Sequence, residues 1–220
     1  MADQITSGAA PWARSRTIST GALLGQVCFL VAIALGFAAM GGFIGRDLEF
    51  GTARILSFAG IGMLFVATFG GARFRAGSFA MGWLFATATV VGLGIGPFVN
   101  AYLAIDPGAV SAAAGGTALT VGAMGAFGFA TSKDLKSWMK PLSYIMLGLF
   151  ALSIVSLVLT GPMSPFLSLA IYGVSALLIL VNFNYLRKHG TEDDAVLLAT
   201  GIFISIINIF LSLLNLFGNR

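Results

Sequence analysis

Regularly spaced polar side chains interrupt the last hydrophobic run of the chain, residues 195–217. Its small and polar members recur at intervals of four, three, four and three residues: Gly201, Ser205, Asn208, Ser212 and Asn215. This spacing places them on one face of a helix, with Ile, Leu and Phe on the other faces. Lipid cannot satisfy an amide, so we expect this face, here called the polar face, to point at protein or at trapped water.

Amides and hydroxyls inside a membrane can serve two purposes. They can hydrogen-bond between packed helices, or they can line a path for a solute or an ion. A path for ions or protons is usually marked by an ionisable group inside the membrane. All eight acidic residues lie instead in loops or tails: Asp3, Asp47, Glu49, Asp106, Asp134, Glu192, Asp193 and Asp194. The sequence therefore favours packing and keeps the path as the alternative.

Residues suited to a catalytic, metal or cofactor site are scarce. The single histidine, His189, lies in a charged loop, and the single cysteine, Cys28, lies inside a hydrophobic run. One histidine suggests neither a zinc-ligand set nor a catalytic triad, and no phosphate-binding loop is present. We therefore predict no enzymatic activity and no metal or cofactor, with His189 at the surface and Cys28 as a small buried apolar residue.

The composition indicates which elements position the polar face. Apolar residues make up 58% of the 220 residues and charged residues 9%, whereas a soluble domain has about 45–50% and about 25%. The mean hydropathy is +0.96. The net charge of +4 comes from basic residues spread over short loops, which argues against a nucleic-acid partner. The sequence predicts an all-α integral membrane protein in contact with the lipid bilayer.

Seven hydrophobic runs are predicted to cross the bilayer as helices. They lie at about residues 21–44, 55–69, 79–96, 110–130, 141–159, 166–186 and 195–217. We predict a polar tail at residues 1–20 and a single seven-helix domain at residues 21–220. Nine Lys and Arg residues lie in the tail and in the second, fourth and sixth loops, and three lie on the other side. This bias puts the N terminus in the cytoplasm and the C terminus outside.

A glycine-proline pair, Gly96-Pro97, closes the third predicted span. Proline removes a backbone donor and clashes with the preceding turn of a helix. The pair is therefore predicted to be either a plain helix end or a hinge. The amphipathic segment that follows, residues 98–103, either continues a kinked helix or lies at the membrane interface.

Charged residues near two predicted spans suggest a contact at the cytoplasmic side. Arg73 and Arg75 follow the second span, while Asp193 and Asp194 lie between the sixth and seventh spans. The arginines are expected to act as cytoplasmic anchors. Alternatively, one of them pairs with Asp193 or Asp194 and latches the cytoplasmic ends of the second and sixth helices.

Four motifs occur in order along the chain: Gly-Pro-Phe-Val-Asn-Ala-Tyr-Leu at 96–103, Gly-Gly-Thr-Ala-Leu at 115–119, Thr-Ser-Lys-Asp-Leu at 131–135 and Asn-Ile-Phe-Leu-Ser-Leu-Leu at 208–214. Together they resemble the Bax inhibitor-1 family, most closely its bacterial YccA-like branch. The resemblance spans nearly the whole chain. It implies a fold in which six helices surround the seventh, in a bacterial inner membrane with the C terminus in the periplasm.

The resemblance also implies what this membrane protein does. In some family members two aspartates, one late in the sixth helix and one in the middle of the seventh, form a pH-sensitive pair that gates a calcium leak. The corresponding positions here are Asn182 and Ser205, and neither carries charge at physiological pH. The YccA-like branch is implied to modulate the membrane-bound, ATP-dependent FtsH protease by direct association, with the short N-terminal tail as an accessible segment.

Two functions of different classes follow. The first is a non-enzymatic regulatory protein of the bacterial inner membrane that binds an FtsH-like protease or another membrane complex. The second is a cation leak channel or transporter, with calcium as the cation, that uses the polar face together with Asn182. The missing intramembrane carboxylates favour the first, because a divalent cation is costly to desolvate with amides and hydroxyls alone.

Overall fold

The structure is a computed structural model that describes residues 19–159 and 164–218, and this part of the chain is all helical. Seven α-helices follow one another: α1 (Thr20–Gly45), α2 (Phe50–Phe69), α3 (Gly77–Ile105), α4 (Pro107–Ala130), α5 (Lys136–Leu159), α6 (Pro165–His189) and α7 (Ala195–Gly218). Short 3-10 turns, Gly71–Phe74 and Glu192–Asp194, precede α3 and α7. Each of the seven helices is long and apolar enough to cross a membrane, which confirms the predicted fold class. The predicted tail falls almost entirely outside the described residues.

The last helix lies inside the bundle. In its most apolar stretch 56% of the residues are buried, compared with 11% in α2 and in α5. Helices α1, α3, α4 and α6 pack around α7, whereas α2 packs mainly on α3 and α5 mainly on α6. The seventh helix is therefore central, but four helices surround it directly and not six, because α2 and α5 lie at the outer edges.

The apolar side of α7 packs against a regular row of side chains on α1. Phe203 and Ile209 of α7 belong to the same buried cluster as Leu23 and Val27 of α1 and Leu84 of α3. Lipid tails are as apolar as these side chains, so the contact is stabilised by close packing and dispersion and not by removal from water. Such packing requires that neighbouring helices fit each other closely.

Glycines make the fit between α1 and α3 possible. A Cβ on Gly92 of α3 would overlap the carbonyl oxygen of Ala38, and one on Gly45 of α1 would lie 2.6 Å from the Leu93 oxygen. A Cβ on Gly96 would likewise lie 2.5 Å from the Gly42 oxygen. The two backbones are therefore in direct contact at positions where only glycine fits.

Several helices extend beyond the predicted spans. The largest difference is in α3, which continues through Pro97 to Ile105 and so includes the segment that was predicted to be a kinked continuation or an interfacial piece. Pro97 cannot donate to the Leu93 carbonyl, and that carbonyl lies against Gly45 of α1 instead. Packing against a neighbouring helix thus allows the helix to continue past the proline.

Two further differences are at α2 and Cys28. Helix α2 begins at Phe50, five residues before the predicted span, with a backbone hydrogen bond of 2.9 Å from Ala53 to Glu49. Its first turns include the exposed Arg54, a residue that the hydropathy pattern placed in a loop. Cys28 is exposed on α1 and not buried, because it lies on the side of the helix that faces away from Val27 and the core.

Candidate functional site

The polar face of α7 meets α6 near the start of α7. Asn182 of α6 faces Gly201: a Cβ on Gly201 would lie 3.3 Å from the Asn182 Oδ1 atom. The Asn182 amide donates to the Leu178 carbonyl at 2.8 Å, and the Ser205 hydroxyl donates to the Gly201 carbonyl at 2.8 Å. The structure therefore brings Asn182 and Ser205 next to the same glycine, with each side chain hydrogen-bonded to its own helix.

The other end of this interface contains a hydrogen bond between the two helices. The buried hydroxyl of Ser168 on α6 donates to Asn215 Oδ1 on α7 at 2.9 Å. On α6, Asn182 follows Ser168 by 14 residues. On α7, Gly201 precedes Asn215 by the same 14 residues. The two helices therefore keep one antiparallel register along the whole polar face.

The middle of the register contains polar groups with weak partners. Halfway between the two fixed contacts, Ser175 of α6 is level with Asn208 of α7. Ser175 Oγ is buried without a hydrogen-bond partner among the residues that the structure describes. The Asn208 amide nitrogen lies 4.0 Å from the sulfur of Met146 on α5, and sulfur is a weak acceptor. Ser212, which is 1% exposed, is the remaining buried hydroxyl of the face.

The polar face is electrically neutral along its length. Its groups are amides, hydroxyls and a glycine, and the described residues contain no group of three or more His, Cys, Asp or Glu side chains placed to hold a metal ion. A hydrogen bond between membrane helices is worth about 0.6–2 kcal/mol. The hydrogen bond from Ser168 to Asn215 therefore joins α6 to α7, and the purpose of the rest of the polar face stays a prediction.

The predicted latch comprises Arg73, Arg75, Asp193 and Asp194. The Asp194 carboxylate accepts hydrogen bonds from the Thr191 backbone at 3.1 Å and from the Thr191 hydroxyl at 2.8 Å. The ion pairs among the described residues are Arg46–Asp47 and Asp134–His189. The latch is not formed as an ion pair in this structure, and it stays a prediction.

The predicted hinge, Gly96-Pro97, lies inside α3 and is buried. A Cβ on Gly96 would lie 3.2 Å from the Arg46 backbone nitrogen, so the pair is held against the end of α1. The described helix passes through this point without a break. A movement about Gly96 and Pro97 stays a prediction, and it would have to separate α3 from α1.

A second polar cluster, at the C-terminal end of α6, was not singled out from the sequence. Asn184 is fully buried and accepts a hydrogen bond from the Leu135 backbone at 2.9 Å. Its amide nitrogen donates to the carbonyls of Gly128 at 3.2 Å, Thr131 at 3.3 Å and Lys133 at 3.0 Å. One side chain of α6 thus holds the whole connection between α4 and α5, here called the Asn184 clamp.

Basic residues at the end of α6 extend this clamp. Arg187 donates to the Thr131 carbonyl at 2.6 Å, and Lys188 donates to the Ser132 carbonyl. The guanidinium of Arg187 also lies 5.9 Å from the centre of the Phe129 ring. Cations near the C-terminal end of a helix are favourably placed for its dipole. An asparagine followed within a few residues by two basic side chains was the signal available in the sequence.

His189 belongs to the same cluster and lies at the surface, where its ring contacts a carboxylate. Its Nε2 atom lies 2.6 Å from Asp134 Oδ2, in the connection between α4 and α5. The Lys136 backbone donates to the Asp134 carboxylate at 2.9 Å. This hydrogen bond and the contact with His189 lower the pKa of Asp134 below its usual value. The pair is a solvent-exposed interaction.

Comparisons with known proteins agree with this architecture. The sequence is 29% identical over 217 residues to "Modulator of FtsH protease YccA" of Escherichia coli K12, covering 93% of each chain. It is 26% identical over 210 residues to a membrane protein of Vibrio cholerae, covering 92% of each chain. The family described as "Inhibitor of apoptosis-promoting Bax1" matches residues 21–220, which include all seven helices except the first residue of α1. The chain therefore belongs to this Bax inhibitor family of membrane proteins.

Proposed function

We propose that this chain is a non-enzymatic regulatory protein of a bacterial inner membrane that modulates an FtsH-like protease by direct association. The observation that carries the proposal is the similarity to YccA, which covers 93% of both chains. A second relative, from another Escherichia coli strain, is described as an inner membrane protein. The family match supports a shared type of membrane protein, and direct contact with the protease is the part that needs an experiment.

The polar interior supports a regulatory role better than a transport role. At both ends of the polar face, the Asn182, Ser205 and Ser168 side chains already donate to groups of the protein. A path for a divalent cation needs several oxygen ligands, normally including carboxylates. The face supplies only neutral amides and hydroxyls, and one of them, Asn215, accepts a hydrogen bond from Ser168 of α6.

The proposed orientation places the N terminus in the cytoplasm and the C terminus in the periplasm. The connection between α4 and α5, held by the Asn184 clamp, then faces the cytoplasm together with the end of α6 and the predicted latch. Contact with a protease would be made there, through residues 1–20, or through the lipid-facing sides of α2 and α5. These two helices pack mainly on one neighbour each and leave most of their surface available.

Purification from native membranes tests the proposal. The tagged full chain is isolated in a mild detergent and the FtsH-like protease that remains bound is quantified by mass spectrometry. We expect the protease to be recovered with the unaltered chain and reduced after deletion of residues 2–18. A chain with residues 2–18 in shuffled order has the same charge and length, and shows whether the order of residues matters. Recovery of the protein alone, at the level of an unrelated tagged membrane protein, would contradict direct association.

The cation leak is kept as the alternative because of one observation. Ser175 Oγ is buried without a partner, level with the weakly paired Asn208, so the middle of the interface has polar groups that a solute could contact. Calcium flux into liposomes that contain the purified chain separates the two functions. Under the proposed function the flux equals that of empty liposomes. A flux that is abolished by Ser205→Ala or Asn182→Ala, with unchanged folding, would establish the leak instead.

A further inference from the structure

A large apolar groove, here called the lateral groove, lies between α1, α3, α4 and α7. Its volume is about 830 Å³, within the range of about 300–1,000 Å³ that is usual for ligand sites. Ile206 and Phe210 of α7 contribute to its lining, together with alanines and two glycines of the neighbouring helices. The lining residues Ala39 of α1 and Ala118 of α4 are exposed, so the groove is open between these two helices. It faces the lipid-covered side of the bundle and is separate from the interface of α6 with α7.

The length of the groove matches one leaflet of a bilayer. Along α1 its lining extends from Leu35 to Arg46, and eleven steps of 1.5 Å give about 16 Å. This is about half of the hydrocarbon thickness of about 30 Å. Arg46 follows the last residue of α1 and therefore marks the membrane boundary. A transmembrane helix of a partner would continue across both leaflets, whereas an acyl chain of one leaflet ends where the groove ends.

The end of the groove at the membrane boundary is polar. The Arg46 Nε atom lies 3.2 Å from Asp47 Oδ2, and the guanidinium lies 4.4 Å from the centre of the Phe43 ring. Its two terminal nitrogens have no hydrogen-bond partner among the described residues. Asn100, which also lines the groove, places its amide nitrogen 3.5 Å from the Arg46 carbonyl. A guanidinium with two free donors is the preferred protein partner of a phosphate group.

We propose that the lateral groove binds one acyl chain of a glycerophospholipid, with the lipid phosphate at Arg46. The lipid comes from the leaflet at the C-terminal end of α1, which is the outer leaflet in the proposed orientation. Arg46 supplies two donors to a phosphate oxygen, and the alkyl lining supplies the contact with the chain. The carboxylate of Asp47 offsets part of the positive charge, so the site recognises the phosphate of a phospholipid and selects little among headgroups. This proposal does not depend on the association with a protease.

Native mass spectrometry of the purified full chain tests the site, with phosphatidylglycerol added in increasing amounts. Two variants fill the groove, Ala118→Trp on α4 and Ala39→Trp on α1. The matched control is Ala126→Trp, an exposed alanine of α4 that does not line the groove. We expect the first bound lipid to dissociate about tenfold more readily from each groove-filling variant than from the unaltered chain, and the control to stay within about twofold.

The charge is tested separately. Arg46→Gln is compared with Arg54→Gln, because Arg54 is exposed at the same end of the bundle and does not line the groove. We expect Arg46→Gln to weaken the first lipid about fivefold, as for loss of one basic residue near a membrane surface, and Arg54→Gln to leave it unchanged. Size-exclusion profiles check that each variant is folded. Any of three results would overturn the proposal: equal lipid binding by both groove-filling variants and the control, retention of detergent only, or crosslinking of position 118 to a partner's transmembrane segment.

Discussion

Replacing Asn184 with alanine tests whether one side chain holds the connection between α4 and α5. The substitution removes the hydrogen bond from the Leu135 backbone and those to the carbonyls of Gly128, Thr131 and Lys133. A net contribution of about 1 kcal/mol per hydrogen bond, with the two N–H donors shared among three carbonyls, gives a loss of about 2–4 kcal/mol. Asn184→Asp should be more damaging at neutral pH, because a carboxylate would face three carbonyl oxygens.

Limited proteolysis measures this loss where it occurs. Lys133 lies in the connection and Lys136 is the first residue of α5; both are exposed, so trypsin in a detergent solution can reach them once the backbone opens. If cleavage follows the population of the open form, a loss of 2 kcal/mol raises its rate about 30-fold. The matched control is Asn182→Ala, which changes the same residue type on the same helix but removes one hydrogen bond within α6. Equal cleavage rates in Asn184→Ala and Asn182→Ala would refute the clamp.

Three further predictions concern the helix contacts and the exposed ion pair. Gly92→Ala should destabilise the contact of α1 with α3 by about 1–3 kcal/mol through overpacking, measured by thermal unfolding in detergent. Gly82→Ala should not destabilise the protein, because a Cβ at that position meets nothing within 4 Å. Folding lowers the pKa of Asp134, so the contribution of its carboxylate to stability is complete at pH values above the ordinary pKa of 3.8 and is lost as the pH falls through the lower pKa of the folded state. Cleavage of this connection by pepsin should therefore rise over that pH range. Asp134→Asn should remove this pH dependence. A double-mutant cycle of Ser168→Ala and Asn215→Ala should give a coupling of about 0.6–1.7 kcal/mol, and additive effects would show that their hydrogen bond contributes nothing.

The helical period explains why the polar face was predictable. Small and polar residues at intervals of three and four share one face of any helix, and an amide there must meet protein. The burial of Ser205, Asn208 and Ser212 follows from local sequence alone. The seven helices were predictable for the same reason, because length and hydropathy are local properties.

The clamp and the continuation of α3 depend on contacts between distant parts of the chain. The partners of Asn184 are backbone groups about 50 residues away, and an asparagine near the end of a span gives no indication of them. Helix α3 passes Pro97 because Gly45, 52 positions earlier, accommodates the Leu93 carbonyl. The peripheral positions of α2 and α5 were equally hidden, since a surface facing lipid and one facing protein are both apolar.

The burial of α7 has a consequence for the order in which the protein is made. The helix that contacts α1, α3, α4 and α6 leaves the ribosome after all of them. Until then Ser168, Ser175 and Asn182 on α6 lack the surface that covers them in the finished bundle. The earlier helices, among which α1 and α3 already contact each other directly, must therefore stay in the membrane without this cover until the seventh is inserted. A substitution that slows insertion of α7 prolongs this stage. It should shorten the lifetime of the newly made chain before it affects the stability of the folded protein.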